Sequence, residues 1–395
     1  MKNIFYREAP RALVVFALGF RPFFLLAAVS ALVLMMQWVF TFLGIREFAN
    51  YYGAIGWHSH EMIFGYTVAV IAGFLLTSVR NWTDIQTATG VPLAGLAALW
   101  LIARLMPFLP SLFPPWLIAA VDIAFLPVLV TALGIPLLRS GQKRNLIFLP
   151  LVGALVLANI LVHLELTGYT ASTARAGTFL GLNLIVLLIV IMGGRVIPFF
   201  TERAVAGLIP KRRRVIEWLS VGSAVAFVIA ELLLPNSIVA GALAALTAAS
   251  NAVRLIGWYT SRFWSIPLLW VLHVGYAWIV VGFCLRALAA IGLVPPQFTV
   301  HAFTVGGIGV LTLGMMARVS LGHTGRPLKV SKAVALAFVA INLAAFVRGI
   351  LPIAFPQWLA QLVALSGTLW VAAFAIFFII YAPILTQPRI DGRAG

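Results

Sequence analysis

Apolar runs of roughly twenty residues, long enough to cross a bilayer as a helix, recur twelve times along this chain. They cover about 22–43, 57–79, 91–108, 115–138, 146–165, 176–199, 215–234, 237–256, 265–290, 298–318, 331–352 and 357–383. Polar and charged residues collect in the short gaps, and the longest gap, around 200–214, leaves no room for a soluble domain. The pattern predicts an all-α polytopic membrane protein, with residues 1–395 forming a single twelve-helix transmembrane bundle. Ahead of the first run stand Lys2, Arg7, Glu8 and Arg11 with no small-residue cleavage site, so that run is expected to be a retained helix rather than a signal peptide.

Composition strengthens this reading. With 63% hydrophobic residues, 9% charged residues and a mean hydropathy of +1.07, the chain has too little polar surface to cover a soluble domain of its size. Charge then orients the bundle. If both termini are cytoplasmic, only Arg46, Arg104, Arg175, Arg286 and Arg348 fall outside, leaving 22 of the 27 Lys and Arg residues inside or at inner helix ends, as the positive-inside rule requires. The net charge of +17 follows from topology. The run Lys211–Arg214 therefore reads as a loop held near anionic lipid rather than a nucleic-acid patch. The single cysteine, Cys284, excludes an intrachain disulfide and a multi-thiolate iron–sulfur cluster, and is expected to be a small packing residue. Gly193–Gly194 and Gly306–Gly307 with Gly309 follow no strand and lack phosphate-loop spacing. They predict close helix contacts or room for a flat cofactor.

Chemistry must come from the few ionisable groups inside the runs, which are costly there and usually functional. Of six histidines, His58, His60, His163 and His301 fall at the outer ends of runs two, five and ten. His273 lies about nine residues into run nine, near mid-membrane, and His323 stands alone on the cytoplasmic side. Four imidazoles at one depth suggest ligation of a metal or a haem. In the string Trp57–Met62 (WHSHEM), His58 and His60 are two residues apart, about 200° around a helix, so each addresses different surroundings. Glu61, Asp122, Glu165 and Glu231 share the outer third, where carboxylates can orient ligating histidines or relay protons. Glu231 reads as a solvated helix end. No acidic chain reaches this depth from inside, which argues against a proton pump. Inward, Arg21, Arg80, Arg195 and Arg318 near His323 could hold haem propionates; snorkelling to lipid phosphate is the simpler account.

Several segments together resemble the NnrS family of bacterial inner-membrane proteins: GFRPFF (19–24), WHSHEMIFGY (57–66), AGFLLTSVRNW (72–82), GGRVIPFFTER (193–203) and HAFTVGGIGVLTLGMMARVSLGHTGRPL (301–328). The resemblance covers most of the chain. It implies a twelve-helix protein of the nitric oxide response and of denitrification, bearing haem b and copper. A complete centre of the haem-copper oxidase kind needs six histidine ligands, and here His323 lies across the membrane from the rest. Two smaller sets remain open: a bis-histidine haem with a two-histidine copper, or a five-coordinate haem beside a three-histidine copper. Met62, Cys284 or Glu61 could complete a copper site, although each reads more simply as packing or support.

The expected metal ligands are His58, His60, His163 and His301, with His273, Arg195 and Arg318 as further cofactor contacts and Glu61 and Glu165 as proton carriers. The expected function is binding and reduction or detoxification of nitric oxide near the periplasmic face, by an oxidoreductase akin to nitric oxide reductases, with electrons from a quinol or a cytochrome. The alternative is a non-catalytic nitric oxide, haem or copper binding protein, sensor or transporter.

Overall fold

The computed structural model describes residues 14–393; Lys2, Arg7, Glu8 and Arg11 lie outside them. Twelve helical spans follow one another: α1 (Phe20–Phe42), α2 (Ala54–Thr83), α3 (Gly90–Phe108), α4 (Pro115–Arg139), α5 (Lys143–Leu166), α6 (Ala174–Ala204), α7 (Arg214–Leu233), α8 (Ile238–Trp258), α9 (Pro267–Ala290), α10 (Pro296–His323), α11 (Lys332–Ala354) and α12 (Pro356–Thr386). Each predicted run matches one of them. The described residues contain no strand. Because α6 continues to Ala204, the predicted gap at 200–214 shortens, and the longest connection is instead residues 43–53, between α1 and α2.

Local chemistry sets the ends. Proline opens α4, α9 and α10, where its missing N–H has no helical partner to lose. Ser237 and Ser331 accept the backbone N–H of Ala240 and Val334 as N-caps of α8 and α11. After α5 the chain reverses through Gly168 at φ 81°, a left-handed conformation that glycine adopts without penalty.

Neighbours in sequence pack as neighbours in space, and α12 returns against α1. The apolar windows of α2, α6 and α10 are 83%, 78% and 72% buried, against 39% for α3, α5, α7 and α12, so the first three form the centre. Outward faces remain apolar: Leu336, Leu343 and Phe346 of α11 are exposed. Water would not tolerate such a belt, whereas lipid makes it the favourable surface. Cys284 is also exposed on α9, away from any metal-ligand cluster.

Two of the three central helices, α2 and α10, share an unusual build. Each starts as a short α-helix ending on a histidine, His60 or His301, then winds as a π-helix, over Glu61–Thr67 or Ala302–Gly309, before resuming α geometry. Wide turns are rare and favour functional positions, because they release backbone groups and rotate the following side chains. In α2 the Gly65 carbonyl accepts Trp100 Nε1–H at 3.2 Å, and Thr67 Oγ1 donates to the Met62 carbonyl five residues back at 2.6 Å. In α10, Gly306 and Gly309 lie on the Trp278 and Trp370 rings, where a Cβ would approach to 2.6 and 2.5 Å. These glycines provide close helix contact.

The connections after α2, α4, α6 and α10 all emerge at one end of the bundle. Reporter fusions after Ile85, Gln142, Leu208 and Leu328 should therefore all report the cytoplasm. A periplasmic signal after Gln142 or Leu208 would overturn that sidedness.

Candidate metal and cofactor site

His60 of α2 and His163 of α5 meet at Asp122 of α4 in the interior. The Nε2 atoms of both rings point at the same carboxylate oxygen, Oδ2 of Asp122, from 3.2 Å and 2.9 Å. Asn159, one helical turn before His163, donates to that oxygen at 2.8 Å, and its own Oδ1 lies 2.9 Å from His60 Nε2. The opposite ring nitrogens are held as well. His60 Nδ1 faces Glu61 Oε1 at 3.3 Å, and His163 Nδ1 faces the Tyr51 hydroxyl at 3.3 Å. Fixing Nδ1 while Nε2 converges on a common point is the way supporting groups prepare histidines for a metal.

Charge makes the same case. Arg104 of α3 bridges Glu61, at 2.7 Å, and Asp122. Two carboxylates and one guanidinium leave one net negative charge if the imidazoles are neutral, in a region where the side chains have almost no contact with solvent. Such a charge needs a cation or a proton. The ligand atoms lie within 4.8 Å of one another, a spread that bonds of ~2.0–2.2 Å from a common centre can reach. Two imidazoles and a carboxylate suit divalent copper, and also iron or zinc. Tyr52 stacks on the His60 ring at 4.2 Å and closes one side. Burial pushes the Tyr51 phenol up to about 12, so it stays protonated as the partner of His163.

His58 and His301 occupy a different place. Both are half-buried on the wall of a cavity of about 930 Å³, which also meets Met62, Asn183, Glu231 and Trp370. This lies within the ~300–1,000 Å³ usual for cofactor sites. The His58 ring stacks on Trp38 at 4.1 Å, and its Nδ1 is buried without a hydrogen-bond partner. His301 Nδ1 lies 3.3 Å from Thr304 Oγ1, and Nε2 makes no hydrogen bond among the described residues. Arg348 Nη1 is likewise buried without a partner. Two histidines on the wall of a cavity of this size fit a haem.

The other expected site residues are spread more widely. Glu165 accepts the Ala174 N–H at 2.6 Å and caps α6. Glu231 is buried and paired with Arg286, where a solvated helix end was expected. Its salt bridge explains the difference, because Arg286 and Asn236 enclose it on the cavity wall. His273 lies in the second turn of α9, bonded to the Leu269 carbonyl at 3.0 Å and 3.4 Å from Thr201, near the far end of α6. At the same far end, Arg195 bonds Asn145 and the Arg144 carbonyl, Arg318 covers the Phe200 ring at 3.9 Å, and Arg21 bonds the Leu385 and Gln387 carbonyls at 2.8 Å. Protein oxygens accept from Arg195 and Arg21, and Arg318 lies over a ring.

Arg104, Asn159, Tyr51 and Tyr52 were absent from the expected set. Arg104 had counted only as an outer positive charge, although an arginine within an apolar run invites a search for buried carboxylates. The spacing Asn159 to His163 puts both on one helix face and was legible. A second network was also missed. Arg254 grips Glu217, the Val190 carbonyl and the Tyr276 hydroxyl, and Tyr276 donates to Asn251. Gly194 lies against the Arg254 guanidinium, so the glycine pair lets α6 close on this bracket of α7, α8 and α9.

Fold and site thus define a multi-pass helical membrane protein whose interior holds a histidine–carboxylate centre beside a histidine-lined cavity. A family model described as NnrS protein matches residues 14–389, nearly the whole chain, and the protein belongs to that family. Membership carries the general character of a haem- and copper-associated membrane protein of the nitric oxide response. A search of curated proteins found no match.

Proposed function

We propose that this protein binds haem b and copper in the bacterial inner membrane and captures nitric oxide near the periplasmic face, reducing or otherwise detoxifying it. The observation that supports this most is the division of the outer histidines between two prepared places, His60 with His163 and Asp122 for copper, and His58 with His301 for haem. When bound, the two groups supply affinity for nitric oxide and one-electron chemistry, with electrons from a quinol or a cytochrome.

The chain's own residues hold and balance these groups. Glu61 and Tyr51 aim the two imidazoles. Arg104 offsets the carboxylate charge and leaves the site one positive charge short. Glu61 Oε2 is buried without a hydrogen bond, so this carboxylate can take up a proton beside the centre. Glu165, committed to the α6 cap, contributes at the rim rather than at the metal.

Metal analysis with optical and EPR spectra of purified protein, followed by nitric oxide addition under reducing conditions, tests the reading. Bound copper, a haem whose spectrum changes on nitric oxide addition, and nitrous oxide formation are expected. Bound haem and copper without turnover would overturn the enzyme and leave a binding protein, sensor or transporter. Glu61→Gln should slow turnover by ~10²-fold or more if the carboxylate carries protons, with haem retained. If Glu61 only positions His60, copper affinity should fall instead, by ~10 to 100-fold. Unchanged copper together with unchanged turnover would remove both roles.

A further inference from the structure

Inward of the histidine-lined cavity, the facing sides of α2, α6 and α10 part again, around an apolar cleft of about 100 Å³ that also touches α1 and α9. Val70, Ile71, Ile185, Leu188, Leu311 and Met315 form much of its wall. The polar side chains on it are Thr67 and Thr312, and both hydroxyls are committed to the protein. Thr67 donates to the Met62 carbonyl, and Thr312 donates to the Ile308 carbonyl at 2.6 Å. Thr312 Oγ1 then accepts from the Tyr66 hydroxyl at 2.5 Å. A buried water needs two to four polar partners, and this wall offers none that are free. A cleft lined in this way favours small apolar molecules over water.

Position gives the cleft a use. Its wall continues that of the outer cavity: Ile63 lines the cavity and Thr67, one turn deeper on α2, lines the cleft; Val305 and Thr312 stand two turns apart on α10 in the same relation. The Tyr66–Thr312 hydrogen bond crosses between α2 and α10 at this level. We propose that the cleft is a holding site for a small uncharged gas, on a route between the apolar interior of the bundle and the His58–His301 cavity. Nitric oxide has the required size and lack of charge; only that choice of gas rests on the function proposed above. The cleft's preference for small apolar molecules rests on its size and its lining.

Xenon-pressurised crystals of the full chain provide the test. A xenon peak bounded by Ile185, Leu188 and Leu311 is expected. Ile189→Trp, which fills the space, should abolish the peak and slow nitric oxide association at the loaded protein; Ile189→Ala should raise xenon occupancy. The alanine variant guards against a tryptophan that does not fold. No xenon in either the parent or Ile189→Ala would overturn the proposal, as would a lipid or detergent tail in the cleft. Xenon in the cleft without nitric oxide binding at the histidines would uphold the gas site and overturn the proposed function. Nitric oxide binding at an unchanged rate in Ile189→Trp would overturn the route.

Discussion

Asp122→Ala is expected to strip copper from the purified protein and to lower its stability by ~1–3 kcal/mol, the usual cost of leaving buried hydrogen-bonding groups without their partner. Asp122 is the one group that touches His60, His163, Asn159 and Arg104 together. Its loss removes a ligand oxygen and leaves Arg104 with Glu61 alone. Metal analysis reads the first effect and thermal unfolding in detergent the second. The variant Asp122→Asn separates them, since the amide keeps the size and an acceptor oxygen and should recover much of the stability, but without the carboxylate charge little of the copper. Full copper in Asp122→Ala would overturn the assignment of the centre. A parent protein without copper, destabilised by Asp122→Ala all the same, would make the cluster a structural ion-pair network.

His58→Ala and His60→Ala, two residues apart, should lose different cofactors. His58 lines the large cavity, so its loss should remove the haem or change its optical and EPR spectra while copper remains. His60 faces Asp122 and Asn159, so its loss should remove copper and spare the haem. The physical reason is the helical turn: at ~100° per residue, alternate residues point nearly opposite ways. His163→Ala should behave like His60→Ala, and His301→Ala like His58→Ala. Retention of both cofactors by both single variants at 58 and 60 would overturn ligation by this motif.

Much of the architecture is legible in the sequence. Run length alone located the twelve spans to within a few residues, because crossing hydrocarbon imposes a length on each segment independently of the others. The separation of His58 from His60 was equally local, a matter of helix period. The segment from His301 to Leu328, with its glycines, tied the chain to its family.

Pairing across helices was not legible. Asp122 and His163 are 41 residues apart, and Glu61 and Arg104 are 43 apart. Nothing in either local stretch says which of twelve outward or inward faces will meet. Four histidines at one depth therefore read as one cluster, and only the meeting of α2 with α4 and with Asn159 of α5 on one side, and with α6 and α10 on the other, split them into two places. The inner arginines read as anion holders because a sequence shows charges and not the carbonyls that satisfy them, as Leu385 and Gln387 satisfy Arg21.

The sequence by itself determined the class, the number of spans, the family and the stock of ionisable residues, all of which follow from composition, run length and motif. The tertiary structure decided which of those residues share a site, through helix rotation and contact: it joined Asp122 and Arg104 to His60 and His163, set His58 and His301 on a separate cavity, and left an apolar cleft below them. Burial turns such neighbours into chemistry, because charges and free ring nitrogens that water would satisfy at a surface must, inside the bundle, find one another or a bound ion.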